Sequence, residues 1–286
     1  MTPLRYVNLY CNTACDSRCT TCSFWKMRPK HLLTPRMLES VAASRYVGAE
    51  TWFALQGGEF TLHPHAGAIL DLFAHRNYIL FTNMLNSARV LDLIDRHGVR
   101  YVSVSLDGGR EGYARIRGVD GFERVTGGIL RAAERAAVSV GITVTPWSTY
   151  DDIRGAMDWC DGAGISYGLN VYTESRIYES ERPAGPIPFL QRLADEAQDA
   201  FCAAHVRWSR GELSLPCRSI RRVASISPEG DVRLCHNREV ILGNVGREPF
   251  DAIWGSPQTA ALHAQYESCN ACWTSCYREH DLAEAK

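Results

Sequence analysis

The chain has 286 residues, of which 45% are hydrophobic, and its formal net charge at neutral pH is −1. This charge balance argues against bulk electrostatic attraction to nucleic acid or to an anionic membrane. No apolar run approaches the roughly 18 residues that a membrane span needs. Eleven cysteines without an evident secretory segment predict a reducing, cytoplasmic location, where clustered thiols bind metals rather than form disulfides.

Short apolar runs alternate with longer helix-like stretches, a pattern typical of parallel β/α units. Strands are predicted over 6–10, 51–55, 78–82, 101–106, 138–145 and 166–172. Helices are predicted between them over 35–45, 65–75, 88–97, 122–137 and 151–162, with a sixth over 189–205. Six such units are too few to close an eight-stranded barrel. The sequence therefore predicts an α/β fold, an open partial (βα)6 TIM-like barrel.

The pattern changes after residue 208. Residues 223–227 and 232–236 are predicted to form a tight hairpin around the turn at 228–231. A helix is predicted over 250–266, and three close cysteines follow it. We therefore predict a barrel domain over residues 1–208 and a small α+β domain over residues 209–286.

Three cysteines, Cys15, Cys19 and Cys22, stand close together directly after the first predicted strand. An iron–sulfur cluster normally takes four thiolates, so a set of three indicates a four-iron cluster with one iron open to another ligand. A zinc site is the main alternative, because Cys11 supplies a fourth thiol nearby. However, we expect Cys11, at the end of the strand, to face away from the loop.

The spacing of these cysteines, three residues and then two, resembles that of the radical S-adenosylmethionine (SAM) enzymes. In that family the open iron chelates the amino and carboxylate groups of SAM, and an electron from the cluster cleaves SAM to a 5′-deoxyadenosyl radical. The family's fold is a six-unit barrel. The resemblance implies an active site built by the loops after the strand carboxyl ends, where the cysteine loop lies.

A second motif, Gly57-Gly58-Glu59, follows the second predicted strand. Two glycines let a backbone approach a ligand closely, and a carboxylate can accept hydrogen bonds from an ammonium. The motif resembles the family's Gly-Gly-Glu, which holds the SAM amino group. Phe60 stands where the family often has proline.

Three further residues are implied to bind SAM. The fourth strand and the segment after it resemble a subgroup in which a serine and a later arginine bind the ribose and carboxylate, here Ser105 and Arg117. A surface helix-capping role is the alternative for Arg117. Asn83 belongs to a stretch that resembles the family's Thr-Asn-Gly, with Met84 in place of glycine.

Five cysteines form a second set near the end of the chain: Cys217, Cys235, Cys269, Cys272 and Cys276. Their spacing around Gly230 resembles the SPASM or twitch domains, which hold auxiliary [4Fe-4S] clusters. Five thiols allow one auxiliary cluster with four thiolate ligands. Cys217, Cys235 and Cys269 are expected ligands, and Cys272 competes with Cys276 for the fourth place, with the twitch analogy favouring Cys272. A structural zinc site is the alternative. The resemblance thus implies SAM and two [4Fe-4S] clusters as cofactors.

The resemblance implies hydrogen abstraction from a substrate, supported by an external one-electron reductant such as flavodoxin or ferredoxin. The expected outcome is net two-electron oxidation, in which a base, with His236 as the candidate, removes a proton and the auxiliary cluster accepts an electron. The alternative is epimerisation, in which a spare thiol, with Cys276 as the candidate, returns hydrogen to the opposite face. A histidine exposed at a hairpin end is the plain alternative for His236.

The compact architecture resembles radical SAM dehydrogenases and epimerases of aminoglycoside antibiotic biosynthesis, which implies a small, polar, sugar- or aminocyclitol-like substrate. Peptide modification is a third possibility, although the first strand begins almost at the first residue and leaves no room for a fused peptide-recognition domain. A cluster-carrying electron-transfer module and a zinc-stabilised binding protein are the non-enzymatic alternatives. Four residues near strand ends are candidates for the pocket: Trp147, Tyr172, Glu174 and Arg176.

Overall fold

Six parallel strands form the first part of the sheet in the computed structural model, which describes residues 3–175, 178–180, 182 and 184–285. They are β1 (Leu4–Tyr10), β2 (Val47–Gln56), β3 (Asn77–Thr82), β4 (Tyr101–Ser105), β5 (Ala137–Val144) and β6 (Ser166–Val171). Each pairs in parallel with the next along the chain. The predicted α/β partial barrel is confirmed.

Helices connect these strands and cover one face of the sheet. They are α1 (Pro35–Ala42), α2 (Ala66–Leu72), α3 (Ser87–His97), α4 (Arg110–Arg117), α5 (Phe122–Ala133) and α6 (Tyr150–Ala163). Strand residues alternate between the two faces. In β4, Val102 and Val104 are buried in the main core, whereas Ser103 and Ser105 on the opposite face are half-buried. The helix-free face is therefore the concave face of the barrel.

The sheet continues into the C-terminal part of the chain. Strand β7 (Val223–Ile226) pairs in parallel with β1, and β8 (Asp231–Cys235) and β9 (Arg238–Asn244) follow in antiparallel order. The order across the nine strands is β6-β5-β4-β3-β2-β1-β7-β8-β9. The remaining helices are α7 (Leu190–Ala197), α8 (Ala200–Ser209), α9 (Phe250–Trp254), α10 (Pro257–Tyr266) and α11 (Ser275–Glu284).

Two predicted helices are each divided in two, which corrects the sequence-based boundaries. The helix predicted over 189–205 breaks because Gln198 adopts a left-handed conformation and Asp199 caps a new helix by accepting from the Cys202 amide. The helix predicted over 250–266 breaks before Pro257, whose ring favours the first position of a helix and not its interior. The end of the helix predicted over 122–137 is also wrong, since Ala137 already belongs to β5.

Three helices end on glycines in the left-handed region, Gly98 after α3, Gly118 after α4 and Gly164 after α6, with φ of 62°, 67° and 64°. Helix α6 begins with a capping box in which Thr149 and Asp152 bond to each other's backbone amides. Within the described part of the chain, the helices are too short or too polar to cross a bilayer.

Candidate active site

The loop that carries Cys15, Cys19 and Cys22 lies at the carboxyl edge of the sheet, directly after β1. The end of α4 holds its middle part, because the Arg18 and Thr20 amides donate to the Arg117 and Ile116 carbonyl oxygens at 3.0 and 2.9 Å. A Cβ on Gly118 would overlap the Arg18 carbonyl oxygen. Glycine at this helix end therefore lets the cysteine loop pack directly on the helix.

Burial raises the pKa of Cys15 and of Cys22 to about 12 and also raises that of Cys19. A thiolate on one of these residues further raises the pKa of its neighbours, which indicates that the three sulfurs lie close together. The nearby cation of Arg117 acts in the opposite direction on all three. Deprotonation here requires added positive charge, which the irons of a cluster supply.

The fourth nearby cysteine, Cys11, lies in the main core with no exposed surface. Its thiol is in contact with the Leu9 carbonyl oxygen at 3.5 Å. The structure therefore places it away from the three loop cysteines, as the sequence predicts.

Gly57 and Gly58 hold the segment before the first loop cysteine. The Gly58 amide donates to the Asn12 carbonyl oxygen and the Glu59 amide to that of Ala14, both at 2.7 Å. A Cβ on Gly57 would lie 2.6 Å from the Asn12 oxygen, and one on Gly58 would overlap the Ala14 oxygen. These glycines thus permit a close approach of two backbone segments, a requirement that applies before any ligand binds.

The Glu59 carboxylate is almost completely buried and accepts four hydrogen bonds. One oxygen accepts from the amide and hydroxyl of Thr61 and from the Thr82 hydroxyl at 3.1, 2.8 and 2.9 Å, and the other from the Asn83 amide at 2.7 Å. The Asn12 side-chain amide donates to the backbone carbonyl oxygen of Glu59 at 2.9 Å. The side chain therefore organises the ends of β2 and β3, while its direct contact with a SAM ammonium stays a prediction.

Asn83 joins the end of β3 to the cysteine loop. Its Nδ2 donates to Asp16 Oδ1 at 2.6 Å and to Ser17 Oγ at 3.0 Å, and it lies 3.9 Å from the Cys15 sulfur. The structure therefore brings this predicted SAM-binding residue directly to the loop. Asp16 and Ser17 are partners that the sequence did not indicate.

Arg117 is mostly buried and pairs with a carboxylate at the end of β4. Its Nη1 donates to Asp107 Oδ2 at 3.0 Å, and its buried Nε has no hydrogen-bond partner among the described residues. An exposed capping role is therefore wrong for this side chain. An unpaired donor beside the loop cysteines suits a carboxylate or sulfur ligand. Ser105, at the end of β4, lies half-buried on the concave face.

Four of the five C-terminal cysteines, Cys217, Cys235, Cys269 and Cys272, surround a cavity of about 210 Å³. Among the described residues, no three histidine, cysteine, aspartate or glutamate side chains converge closely enough to bind a single metal ion. Four thiolates on one zinc ion, at about 2.3 Å each, are in near contact with one another. Thiols spread around a cavity fit a bulkier group, and thiolate is the ligand that iron–sulfur clusters take.

The fifth thiol, Cys276, does not line this cavity. Its sulfur lies 3.4 Å from Nδ1 of His236, so the structure brings the two predicted catalytic residues together. Burial raises the pKa of Cys276, and charge on Glu279 and Cys272 adds to this effect. Burial and the Arg233 charge lower the pKa of His236 to about 3. The pair is therefore a thiol beside a neutral imidazole, and the prediction of an exposed hairpin-end histidine is wrong.

The residues that hold this pair were not predicted from the sequence. Nε2 of His236 lies 3.1 Å from the Tyr10 hydroxyl and 2.9 Å from the Ser225 hydroxyl. The Tyr10 hydroxyl lies 3.4 Å from that of Tyr178, whose pKa is raised mainly by burial and also by charges on Cys276 and Cys22. The pair therefore lies between the two cysteine sets. The only usable signal was Tyr10 itself, a large polar aromatic at the end of β1.

The concave face of β4, β5 and β6 is lined by small, uncharged residues. The strand register places them in three rows, Ser103 with Ser139 and Ser166, Ser105 with Gly141 and Gly168, and Thr143 with Asn170. All are half-buried or exposed, whereas the alternate residues are in the core. Of the predicted pocket residues, Trp147 and Tyr172 pack edge to face at 5.0 Å, and Arg176 lies outside the described residues.

Comparisons with known proteins agree with this geometry. The sequence profile of the Radical SAM superfamily matches residues 9–160, more than half of the chain, and that of the SPASM iron–sulfur cluster-binding domain matches residues 217–276. The chain belongs to the radical SAM superfamily and carries a SPASM domain. Its cofactors are accordingly SAM and two iron–sulfur clusters. No curated protein matches the chain in sequence.

Solved structures share the fold at low sequence identity. SuiB of Streptococcus suis, bound to S-adenosylmethionine, matches with a TM-score of 0.72 and 16% identity over 92% of this chain and 68% of its own. SuiB has also been solved bound to its precursor peptide SuiA. anSMEcpe, bound to AdoMet and a peptide named Cp18Cys, matches with a TM-score of 0.63 and 15% identity, over 91% of this chain and 82% of its own. The expected specific likeness to aminoglycoside dehydrogenases is not what these structures show.

Proposed function

We propose that this enzyme inverts a carbon centre of a small, polar substrate, with Cys276 as the hydrogen-atom donor. The observation that carries the proposal is the 3.4 Å contact between the Cys276 sulfur and His236, on a cysteine that does not line the cavity although it lies near Cys235 and Cys272. A cluster ligand is held as a thiolate, whereas a hydrogen-atom donor must keep its S–H bond. A thiol beside an imidazole nitrogen meets the second requirement.

Two other sets of cysteines would hold the iron–sulfur clusters. Cys15, Cys19 and Cys22 would bind the SAM-cleaving cluster, with Gly57, Gly58, Glu59, Asn83, Ser105 and Arg117 around SAM, and Cys217, Cys235, Cys269 and Cys272 would bind the auxiliary cluster. When bound, the first cluster and SAM supply a radical that removes one hydrogen atom from a substrate carbon. The expected reductant is a flavodoxin or ferredoxin.

Cys276 completes the inversion. Its S–H bond breaks as the hydrogen atom forms a new C–H bond on the opposite face of the substrate radical, and the unpaired electron passes to sulfur. One electron from the reductant and one proton then restore the thiol. His236 positions the sulfur through Nδ1, while Tyr10 and Ser225 hold the other side of the ring.

The substrate class is inferred from the concave face. Its three rows of serine, glycine, threonine and asparagine offer hydroxyl, amide and backbone groups without a charged side chain. Such a wall suits a hydroxyl-rich molecule such as a sugar or an aminocyclitol, because each substrate hydroxyl needs a partner when it leaves water.

A direct test compares Cys276→Ala with Cys272→Ala after anaerobic reconstitution. Cys276→Ala should keep about eight irons per chain and still form 5′-deoxyadenosine with dithionite and SAM, whereas Cys272→Ala should keep about four. With a panel of aminoglycosides in D2O, the wild type should give an epimer carrying one deuterium, and Cys276→Ala none. Iron loss in Cys276→Ala would make Cys276 a ligand and remove the donor role.

Net oxidation is the second candidate, favoured by the auxiliary cavity as a place for an electron acceptor. It predicts a product two mass units below the substrate and no deuterium. Peptide modification is the third, favoured by the peptides bound to SuiB and anSMEcpe. It predicts that aminoglycosides leave the rate of SAM cleavage unchanged, while a peptide encoded beside the gene raises it.

A further inference from the structure

A buried arginine lies at the wall of the auxiliary cavity. Arg278, on α11, lines the cavity together with the four cysteines and is 1% exposed. Its Nη1 donates to Asp281 at 3.0 Å, and its Nη2 donates to Asn270 Oδ1 at 3.0 Å and to the Leu215 carbonyl oxygen. Its Nε is buried and has no hydrogen-bond partner among residues 3–175, 178–180, 182 and 184–285.

The partner carboxylate is equally shielded from water. The side chains of Arg278 and Asp281 are 1% and 2% exposed in their ion pair. The other Asp281 oxygen accepts from the amide and hydroxyl of Ser219, each at 2.8 Å. Both charges therefore act through protein rather than solvent, where screening by salt is weak.

These contacts also connect the two segments that supply the cavity thiols. Leu215 and Ser219 flank Cys217, and Asn270 follows Cys269. An arginine used only to join these segments needs its two Nη groups. The free Nε–H is left over, and it lies on a residue that faces the cavity.

We propose that Arg278 sets the reduction potential of the auxiliary cluster. A cluster held by four thiolates is anionic and gains one more negative charge on reduction. The buried guanidinium stabilises the reduced form more than the oxidised form, and its Nε–H supplies a hydrogen bond to a cluster or cysteine sulfur, so both effects raise the potential. The Asp281 charge acts in the opposite direction, and it raises the pKa of the cavity thiol Cys217 more than Arg278 lowers it. The inference rests on the proposed assignment of the four cavity cysteines as ligands.

A second arginine provides a matched comparison. Arg238 also lines the cavity and is hydrogen-bonded to Cys269, but its side chain is exposed and lies over the Tyr266 ring. Water and salt screen an exposed charge, so Arg238 should act on the potential through its hydrogen bond and only weakly through its charge.

The test is a redox titration of the auxiliary cluster followed by electron paramagnetic resonance, on protein reconstituted with iron and sulfide. Arg278→Met should lower the midpoint potential, Arg278→Lys should restore most of the difference, and Asp281→Asn should raise the potential above that of the wild type. Arg238→Met should shift it less than Arg278→Met. Iron per chain is measured on every sample.

Opposite shifts from Arg278→Met and Asp281→Asn at full iron content would establish the charge effect, because structural damage does not change sign between two partners of one ion pair. Equal potentials in the wild type and both variants would overturn it. If Arg278→Met loses auxiliary iron, the midpoint potential of Asp281→Asn alone decides the question. An unchanged or lower potential in Asp281→Asn then overturns the inference. Zinc in place of auxiliary iron in the wild type would overturn the ligand assignment and the inference together. Correct potentials without any epimer would overturn only the proposed function.

Discussion

Replacing Gly118 with alanine should detach the cysteine loop from helix α4. Gly118 has φ of 67°, a conformation that costs an alanine about 1 kcal/mol. Its new Cβ would overlap the Arg18 carbonyl oxygen, so the loop must move away from the helix end. That movement breaks the hydrogen bonds from the Arg18 and Thr20 amides, each contributing about 1 kcal/mol.

The two lost hydrogen bonds sum to about 2 kcal/mol, which corresponds to a loss of roughly 30-fold in affinity for the cluster, while the backbone cost lowers the stability of the fold. The assay is iron and labile sulfide per chain after anaerobic reconstitution and gel filtration. We expect Gly118→Ala to fall from about eight irons to about four, because only the cluster next to the loop is affected. Formation of 5′-deoxyadenosine should fall in parallel.

Gly164→Ala is the matched control. Gly164 also ends a helix with φ of 64°, but a Cβ there would meet nothing within 4 Å. This variant should lose about 1 kcal/mol of stability, the backbone cost alone, and keep full iron content. Full iron and wild-type SAM cleavage in Gly118→Ala would refute the packing argument, and so would equal iron loss in both variants.

Three further substitutions test residues of the candidate site and the cap of a helix outside it. Glu59→Gln replaces one of the two acceptor oxygens, which together accept four hydrogen bonds, with an NH2 donor. Urea denaturation should show that the free energy of unfolding falls by about 2 kcal/mol. An unchanged denaturation midpoint would contradict the hydrogen-bond pattern. Asn83→Ala removes two hydrogen bonds to the cysteine loop, which should slow SAM cleavage about tenfold at unchanged C-terminal iron; an unchanged rate would count against its role. Thr149→Ala removes the capping box of α6 at a cost of about 1 kcal/mol, and SAM cleavage should be retained; a loss of cleavage would show that the cap also supports the site.

The sequence predicted those parts of the fold that depend on local patterns. Short apolar runs between helix-like stretches located all six barrel strands, because each strand contributes apolar side chains to the core. It missed α4, β9 and α11. Helix α4 has three buried residues among its eight and begins at a glycine without a side-chain cap. Neither apolar periodicity nor a capping residue therefore identifies it. Strand β9, at the edge of the sheet, has no fully buried residue and therefore no apolar alternation.

The site shows the same division between local and long-range information. Close spacing in the chain predicted the cluster role of Cys15, Cys19 and Cys22, whereas the widely spaced C-terminal cysteines were predicted only through their resemblance to SPASM or twitch domains. The pairing of Cys276 with His236 joins residues 40 apart, and the contact of His236 with Tyr10 joins residues 226 apart. The sequence also could not show that both carboxylate oxygens of Glu59 accept hydrogen bonds from protein donors. Such contacts depend on how strands and loops assemble.

The placement of β1 has a practical consequence for dissecting the protein. This strand is hydrogen-bonded to β2 on one side and to β7 on the other, so the C-terminal segment covers the edge of the very strand that leads into the cysteine loop. Cutting the chain after residue 208 would expose a run of unpaired amides and carbonyls beside Tyr6 and Asn8. Open edges of this kind pair with other chains and promote aggregation. An isolated barrel is therefore expected to be insoluble, and activity lost by truncation would say little about electron transfer.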